Sequence, residues 1–251
     1  TDKSEKQEYI NYFDKVESIS DVIDNLSTDT GGTVSLCHSL VIILSQNVLD
    51  KDNDVAMKYF FENEILCNNT MVVTAKESPK ALLTTKLSNG IGSGYYLGQT
   101  LRKMGKDFGI IPMTIKDYFM NRFRIGSCVY LPCVGVEQQG ETSYLNISES
   151  YVGNNEKSVI LSEEATKGLS IVLNSIDNGT IPYVDGEIMG EMDIVKCSSK
   201  LKIEGDDKAL IQVTATLKNS SVVPNKIDEQ RCKEFAEKKI KEYVEACYEQ
   251  C

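Results

Sequence analysis

Apolar and polar residues alternate along two long stretches near the C-terminus, and a period of two marks strands with one buried face. In the first stretch, Ile188–Glu204, residues Ile188, Met192 and Ile194 share one face. From Val195 the phase reverses, to Val195, Cys197, Leu201 and Ile203. A reversal within one strand requires a bulge or a bend. Asp206-Asp207 then turns the chain, and Leu210–Leu217 sets Ile211, Val213, Ala215 and Leu217 against Gln212, Thr214 and Thr216.

The pattern around these strands supplies their cover. Tyr144–Val152 alternates like a strand, Gly153-Asn154-Asn155 turns, and Glu156–Leu161 returns. Ser162 is placed to cap a helix whose first turn carries Glu163 and Glu164, matched to the positive end of the helix dipole. Its apolar stripe is Ala165, Leu169, Val172, Leu173 and Ile176, and Asn178-Gly179 is the expected stop. After Pro224 a second helix carries Ala236, Ile240, Tyr243, Val244, Cys247 and Cys251 on one side. Residues 144–251 therefore read as an α+β domain of antiparallel strands with two helices packed on one face.

Upstream, helical spacing covers residues 4–27, with a break near Ser18–Ser20 and a stop at Thr28–Gly32. Residues 34–45 read as a buried strand. Asp50–Asp54 caps a helix reaching Ile65, with Val55, Tyr59 or Phe60, and Ile65 on its apolar side. Thr70–Ala75 is a short strand, and Ser78-Pro79 opens a helix over Lys80–Leu87. Residues 1–87 thus form an N-terminal α/β domain. The middle segment, 88–143, begins with a Gly-rich connection over Ser88–Gly94. Helices follow over Tyr95–Lys103 and Thr114–Phe123, then a strand over Cys128–Val136. Pro132 makes that strand an edge or an irregular one. The whole is expected to be a multidomain α+β protein with mixed and antiparallel sheets.

Composition narrows the function. The chain has 251 residues, 41% of them hydrophobic, enough for a sizeable core. Lys+Arg is 27 against Asp+Glu 37, a net charge of −10, which argues against nucleic acid as a partner. The longest apolar run, Leu40–Leu44, is too short to span a bilayer, which takes about 20 residues. Thr1 is expected to follow a removed or trimmed leader. A single His, His38, cannot build a His-rich metal site and reads as structural. Gly90-Ile91-Gly92-Ser93-Gly94 departs from both the dinucleotide and the Walker spacing. Glu163 and Glu164 point apart on a helix and cannot flank one bond. No G-x-S-x-G elbow occurs. The eight cysteines lack a C-x-x-C and read mainly as free, buried thiols. The alternative is one or two disulfides in an exported protein, Cys128–Cys133 being the favoured local pair, with a thiol-redox role of those two as a third reading of function. No residue is singled out as catalytic, cofactor-binding or metal-ligating, and the chain reads as a non-enzyme.

The hairpin Tyr144–Leu161, then Ser162-Glu163-Glu164 and the helix Gly168-Leu169-Ser170-Ile171-Val172-Leu173-Asn174, resembles the C-terminal domain of the Ger(x)C family. There a hairpin ending in v-G-x-L precedes Ser/Asp-Glu-Glu and a helix of the form G-L-x-x-L-x-x. Ser198–Ile203 with Ala209–Leu217 resembles the next two strands, and Asp228–Tyr248 the closing helix. Ser20–Leu26 followed by Cys37–Ile43 is similar to the family's helix and the strand entered through a His. Phe60–Ile65 stands where the family has Leu-x-Arg-Asp-Pro-Glu-Ile, with Glu62-Asn63-Glu64 replacing Arg-Asp-Pro. Thr74–Leu83 resembles its small-x-G-x-A-x-x-L-L segment. The family's lipid-attachment Cys and first strands are not among these residues.

The resemblance implies a non-catalytic C subunit of a nutrient germinant receptor. Such subunits are lipoproteins on the outer face of the spore inner membrane, working with the integral-membrane A and B subunits. It also implies an N-terminal lipid anchor lying outside this sequence, no cofactor, and a three-domain α+β structure. The competing expectation is a solute-binding or interaction lipoprotein of a Gram-positive bacterium unrelated to germination, with a ligand-sized pocket between domains.

Overall fold

A computed structural model describes residues 10–15, 18–50, 57–60, 68–87, 90–104, 107–122, 128–154, 157–185, 188–204, 208–222 and 229–251. Two sheets organise them. The first has five strands in sequence order: β1 (Val41–Ser45), β2 (Met71–Ala75), β3 (Val129–Gln139), β4 (Thr142–Gly153) and β5 (Ser158–Leu161). β1–β2 and β2–β3 are parallel, and β3–β4 and β4–β5 are antiparallel.

Two strands depart from the sequence expectation for local reasons. β1 begins at Val41 rather than residue 34, because Leu36–Ser39 closes a turn through the Ser39 amide donating to the Leu36 carbonyl at 2.9 Å. β3 is central rather than marginal. It tolerates Pro132 because its ladder to β2 starts one residue later, at Thr74↔Cys133, so the missing N–H is not needed there. The expected irregularity is present as a register shift between Cys133 and Gly135. The β3–β4 hairpin runs from Val129↔Gly153 to Gln139↔Thr142, so this sheet continues across residue 143 into the C-terminal part.

Helices cover both faces of this sheet. Val72 and Val73 are adjacent on β2 and therefore point to opposite sides. Val72 joins Leu44, Leu131 and Tyr151 under Ile115, Tyr118 and Phe119 of α5 (Ile115–Arg122), with Met57 from a helical turn at 57–60. Val73 joins Ala75 and Val134 under Leu82, Leu97 and Leu101. Leu82 lies on α3 (Pro79–Thr84), whose first turn is capped by Ser78 accepting from the Ala81 amide. Leu97 and Leu101 lie on α4 (Ser93–Met104). α5 spans Ile115–Arg122, and Thr114 accepts from the Asp117 amide at 3.1 Å.

Of the helix expected over residues 4–27, residues 4–9 and 16–17 lie outside the described residues. α1 spans Ile19–Thr30, with Ser18 as N-cap and Gly31 at φ 67 closing its end. The break expected near Ser18 is thus the start of α1. Residues 10–15 are not helical; Asn11 donates to the Leu83 carbonyl, and Lys80 sits 4.9 Å from the Phe13 ring. α2 (Gln46–Asp50) follows β1 directly. Of the helix expected to reach Ile65, only 57–60 falls within the described residues, and those are helical.

The second sheet is antiparallel, in the order β6 (Thr180–Asp185), β7 (Ile188–Glu204), β8 (Lys208–Val222). The phase reversal read at Val195 is a bulge: Ile194 pairs with Leu217 and Lys196 with Thr216, leaving Val195 unpaired. Helix α6 (Glu163–Val172) is capped by Ser162 accepting from the Ala165 amide. It ends at Leu173, five residues before the expected stop, because Asn174 takes φ 55. Helix α7 (Glu229–Gln250) lies against α6. Gly168 sits at their crossing, where a Cβ would stand 1.9 Å from the Tyr243 carbonyl oxygen. Ile171, Ala236 and Tyr243 pack with Ile181, Met192 and Ile194 of the sheet, while Ala165, Leu169 and Cys247 pack with Leu161 and Ile111.

Candidate functional site

The sequence candidates for chemistry are dispersed. His38 is exposed in the turn before β1. The C-terminal end of the glycine-rich stretch is packed, while Gly90 and Ile91 are exposed. Ser93 is buried and donates to the Leu83 carbonyl at 2.9 Å, and a Cβ on Gly94 would touch Leu83. Glu163 pairs with Lys167 at 2.6 Å along α6, an ordinary exposed helix pair. Among the described residues no three His, Cys, Asp or Glu side chains gather as a metal site requires.

The thiols do not form a redox couple. Cys128 and Cys133 are both free, one exposed and one buried. An extended chain carries residues five apart to roughly 17 Å, beyond disulfide reach. Cys133 lies in the central strand β3, and burial, aided by the nearby Glu149 carboxylate, pushes its thiol up to about 12. A thiol held protonated at neutral pH is a poor nucleophile. Beside it Lys76 and Glu149 form an ion pair at 2.7 Å across the sheet, and this hydrogen bond holds the Lys76 ammonium above its usual range. Gln46 donates to the Lys76 carbonyl at 3.4 Å. The group ties the carboxyl ends of β1 and β2 to β4 and has the character of a structural clamp.

Recognition surface is more evident. The face of the second sheet turned away from α6 and α7 carries Pro182, Val184, Val195, Lys196, Ser198, Lys200, Lys202, Leu210, Gln212, Thr214, Thr216 and Lys218, all exposed. Val184, Val195 and Leu210 are each at least half exposed. At the β3–β4 hairpin, Tyr144 donates to Glu137 at 2.6 Å and the Asn146 amide donates to its other oxygen. These two bonds, the tyrosine's the stronger influence, hold the Glu137 carboxyl below its usual range. A solvent-facing carboxylate is thereby fixed in one orientation. The sequence set Gln212, Thr214 and Thr216 opposite the apolar row, but it did not signal that this face stays uncovered, nor the pairing of Glu137 with Tyr144 and Asn146.

The geometry defines a two-sheet α+β protein in which the buried Cys133 and the Lys76–Glu149 pair belong to the first sheet's structure. The family profile described as spore germination protein N-terminal domain matches residues 1–136, more than half of the chain. The chain belongs to that spore germination family, the Ger(x)C family. The crystal structure of the GerBC protein has a similar fold, with a TM-score of 0.61 at 20% sequence identity. The similarity covers 84% of this chain and 62% of the GerBC chain, so this chain spans less than two thirds of that protein. No curated protein matches at a significant level. Among the described residues no helix is long and apolar enough to cross a membrane.

Proposed function

We propose that the chain is the C subunit of a nutrient germinant receptor and works by protein contact rather than catalysis. The observation that carries this reading is the family match over residues 1–136. On this reading the receptor's A and B membrane subunits are its partners, and a lipid on a residue upstream of Thr1 holds it at the outer face of the spore inner membrane. An acidic chain with net charge −10 is repelled by anionic lipid, so a lipid anchor supplies what its charge does not. The raised Cys133 thiol suits a structural rather than a nucleophilic part for that residue.

The test is deletion of the gene in the spore-forming organism that encodes it, with germination followed by loss of optical density after nutrient addition. The deletion is expected to abolish the response to one nutrient class and to leave the response to other nutrients unchanged. Complementation should restore the response. Unchanged germination with every nutrient, together with an unlipidated N-terminus on the native protein, would point to a binding protein outside germination.

A further inference from the structure

The margins of the two sheets are not treated alike. β1 and β5 are short marginal strands of five and four residues. β6 forms one margin of the second sheet, spans six residues and contains Pro182, which cannot donate to a further strand. Beyond β6 the free side of β7 is closed by a side chain. Asn174 donates to the Ser199 carbonyl at 3.1 Å and accepts from the Ser199 amide, imitating a neighbouring strand, while the Ser199 hydroxyl donates to the Val172 carbonyl at 2.9 Å. These are the devices by which native sheets prevent unwanted pairing.

β8, the other margin, has none of them over its middle. From Ala209 to Leu217 it contains no charge, proline or glycine. Its pairing with β7 is regular from Lys196↔Thr216 to Glu204↔Lys208, so no bulge turns the margin away. The strand order leaves no further strand among the described residues beyond it. Nine uncharged residues offer an open ladder of about 30 Å. On the helix-covered face Ile211, Val213, Ala215 and Leu217 form a half-buried apolar row that stops at this margin. On the opposite face Lys196, Lys200, Lys202 and Lys218 are exposed, and among the described residues none has an ion-pair partner. Asp193 lies across from Lys218 in the register, and Glu204 across from Lys208.

We infer that the β8 margin accepts an added strand from a partner polypeptide whose residues alternate apolar and acidic. Its apolar side would extend the Ile211–Leu217 row. Its acidic side would face Lys218 directly, and Lys200 and Lys202 one strand away, within a Debye length of about 10 Å. The inference stands apart from the germination reading, because the geometry of the margin does not depend on it.

The probe is a capped peptide alternating valine and glutamate over about nine residues, compared with its valine–lysine counterpart. The readout is amide hydrogen exchange across 209–217. Saturating glutamate peptide is expected to slow exchange there about tenfold, because the open ladder gains hydrogen bonds. The triple variant Lys200→Glu, Lys202→Glu, Lys218→Glu should bind the glutamate peptide about tenfold more weakly and take the lysine peptide instead. Thr216→Glu, a single exposed change, should weaken glutamate-peptide binding in the same direction, and an unchanged thermal midpoint establishes that each variant is folded. Protection elsewhere, no protection by either peptide, or peptide-independent protection with doubled mass, which would mean a second copy seated at β8, overturns the inference.

Discussion

Replacing Gly168 by alanine places a methyl group inside the α6–α7 contact. Its carbon would stand 1.9 Å from the Tyr243 carbonyl oxygen, 2.6 Å from the carbonyl carbon and 2.9 Å from the Cys247 Cβ. Carbon and carbonyl oxygen rest about 3.3 Å apart at closest. The obstacle is backbone, which cannot rotate aside, so the helices must separate by more than about 1 Å. A gap of that size forfeits up to half of the dispersion energy along the contact. Overpacking costs typically run to about 3 kcal/mol, and a clash with backbone belongs at or above that end. Alanine returns about 1 kcal/mol of helix propensity. The expected net loss is about 2 kcal/mol or more, which for a chain of this size lowers Tm by about 4–8 °C or more. Differential scanning calorimetry at one pH reads it directly. Gly32→Ala is the control: nothing lies within 4 Å of the added Cβ, and Tm should hold. A Gly168→Ala variant melting within about 1 °C of the parent would mean that the two helices do not cross at this residue.

Other expectations follow from the same geometry. Asn174→Ala removes both bonds to Ser199 and strains a residue at φ 55, so urea titration should find it about 2–3 kcal/mol less stable, with Asn174→Gly losing less because the strain is relieved. The Thr166 hydroxyl is fully buried without a hydrogen-bond partner, and Thr166→Val should be neutral or up to about 1 kcal/mol stabilising by the same titration. Cys133 and Tyr151 are pushed up to about 12, each chiefly by burial, with the Tyr151 hydroxyl also donating to Asp50 at 3.0 Å. Both ionise near 9 to 10 once unfolded, so their stabilisation is complete below about pH 9 and is lost as pH rises towards 12. The urea midpoint should therefore fall steadily above pH 9, and a midpoint constant from pH 9 to 11 would contradict their burial.

What the sequence made legible was whatever repeats with a period. The bulge at Val195 was readable because a phase reversal has a single geometric cause. Ser162 and Ser78 were readable as helix starts because few residue types can satisfy free amides there, whereas Ser18 was read only as a break inside a longer helix. β6 was missed, since Thr180–Asp185 is too short to show alternation and contains Pro182. Of the two readings of Pro132, the irregular strand held and the edge strand did not, because the sequence does not reveal where a neighbouring ladder begins. The end of α6 was set five residues late, because what stops it is Asn174 reaching to Ser199, a contact between residues 25 apart. The recognition surface was not legible, since an uncovered face differs from a covered one only in what lies above it.

Helix α6 has a consequence for cooperativity. Ala165 and Leu169 belong to the cluster that holds Leu161 of the first sheet, and Ile171 belongs to the one that holds Ile181 and Met192 of the second. Neither cluster can lose the helix without the other, and α7 contributes Cys247 to one and Tyr243 to the other. The two sheets are therefore expected to melt as one unit, and a chain cut between β3 and β4 takes Tyr151 from the interior of the first fragment and Ile111 from that of the second.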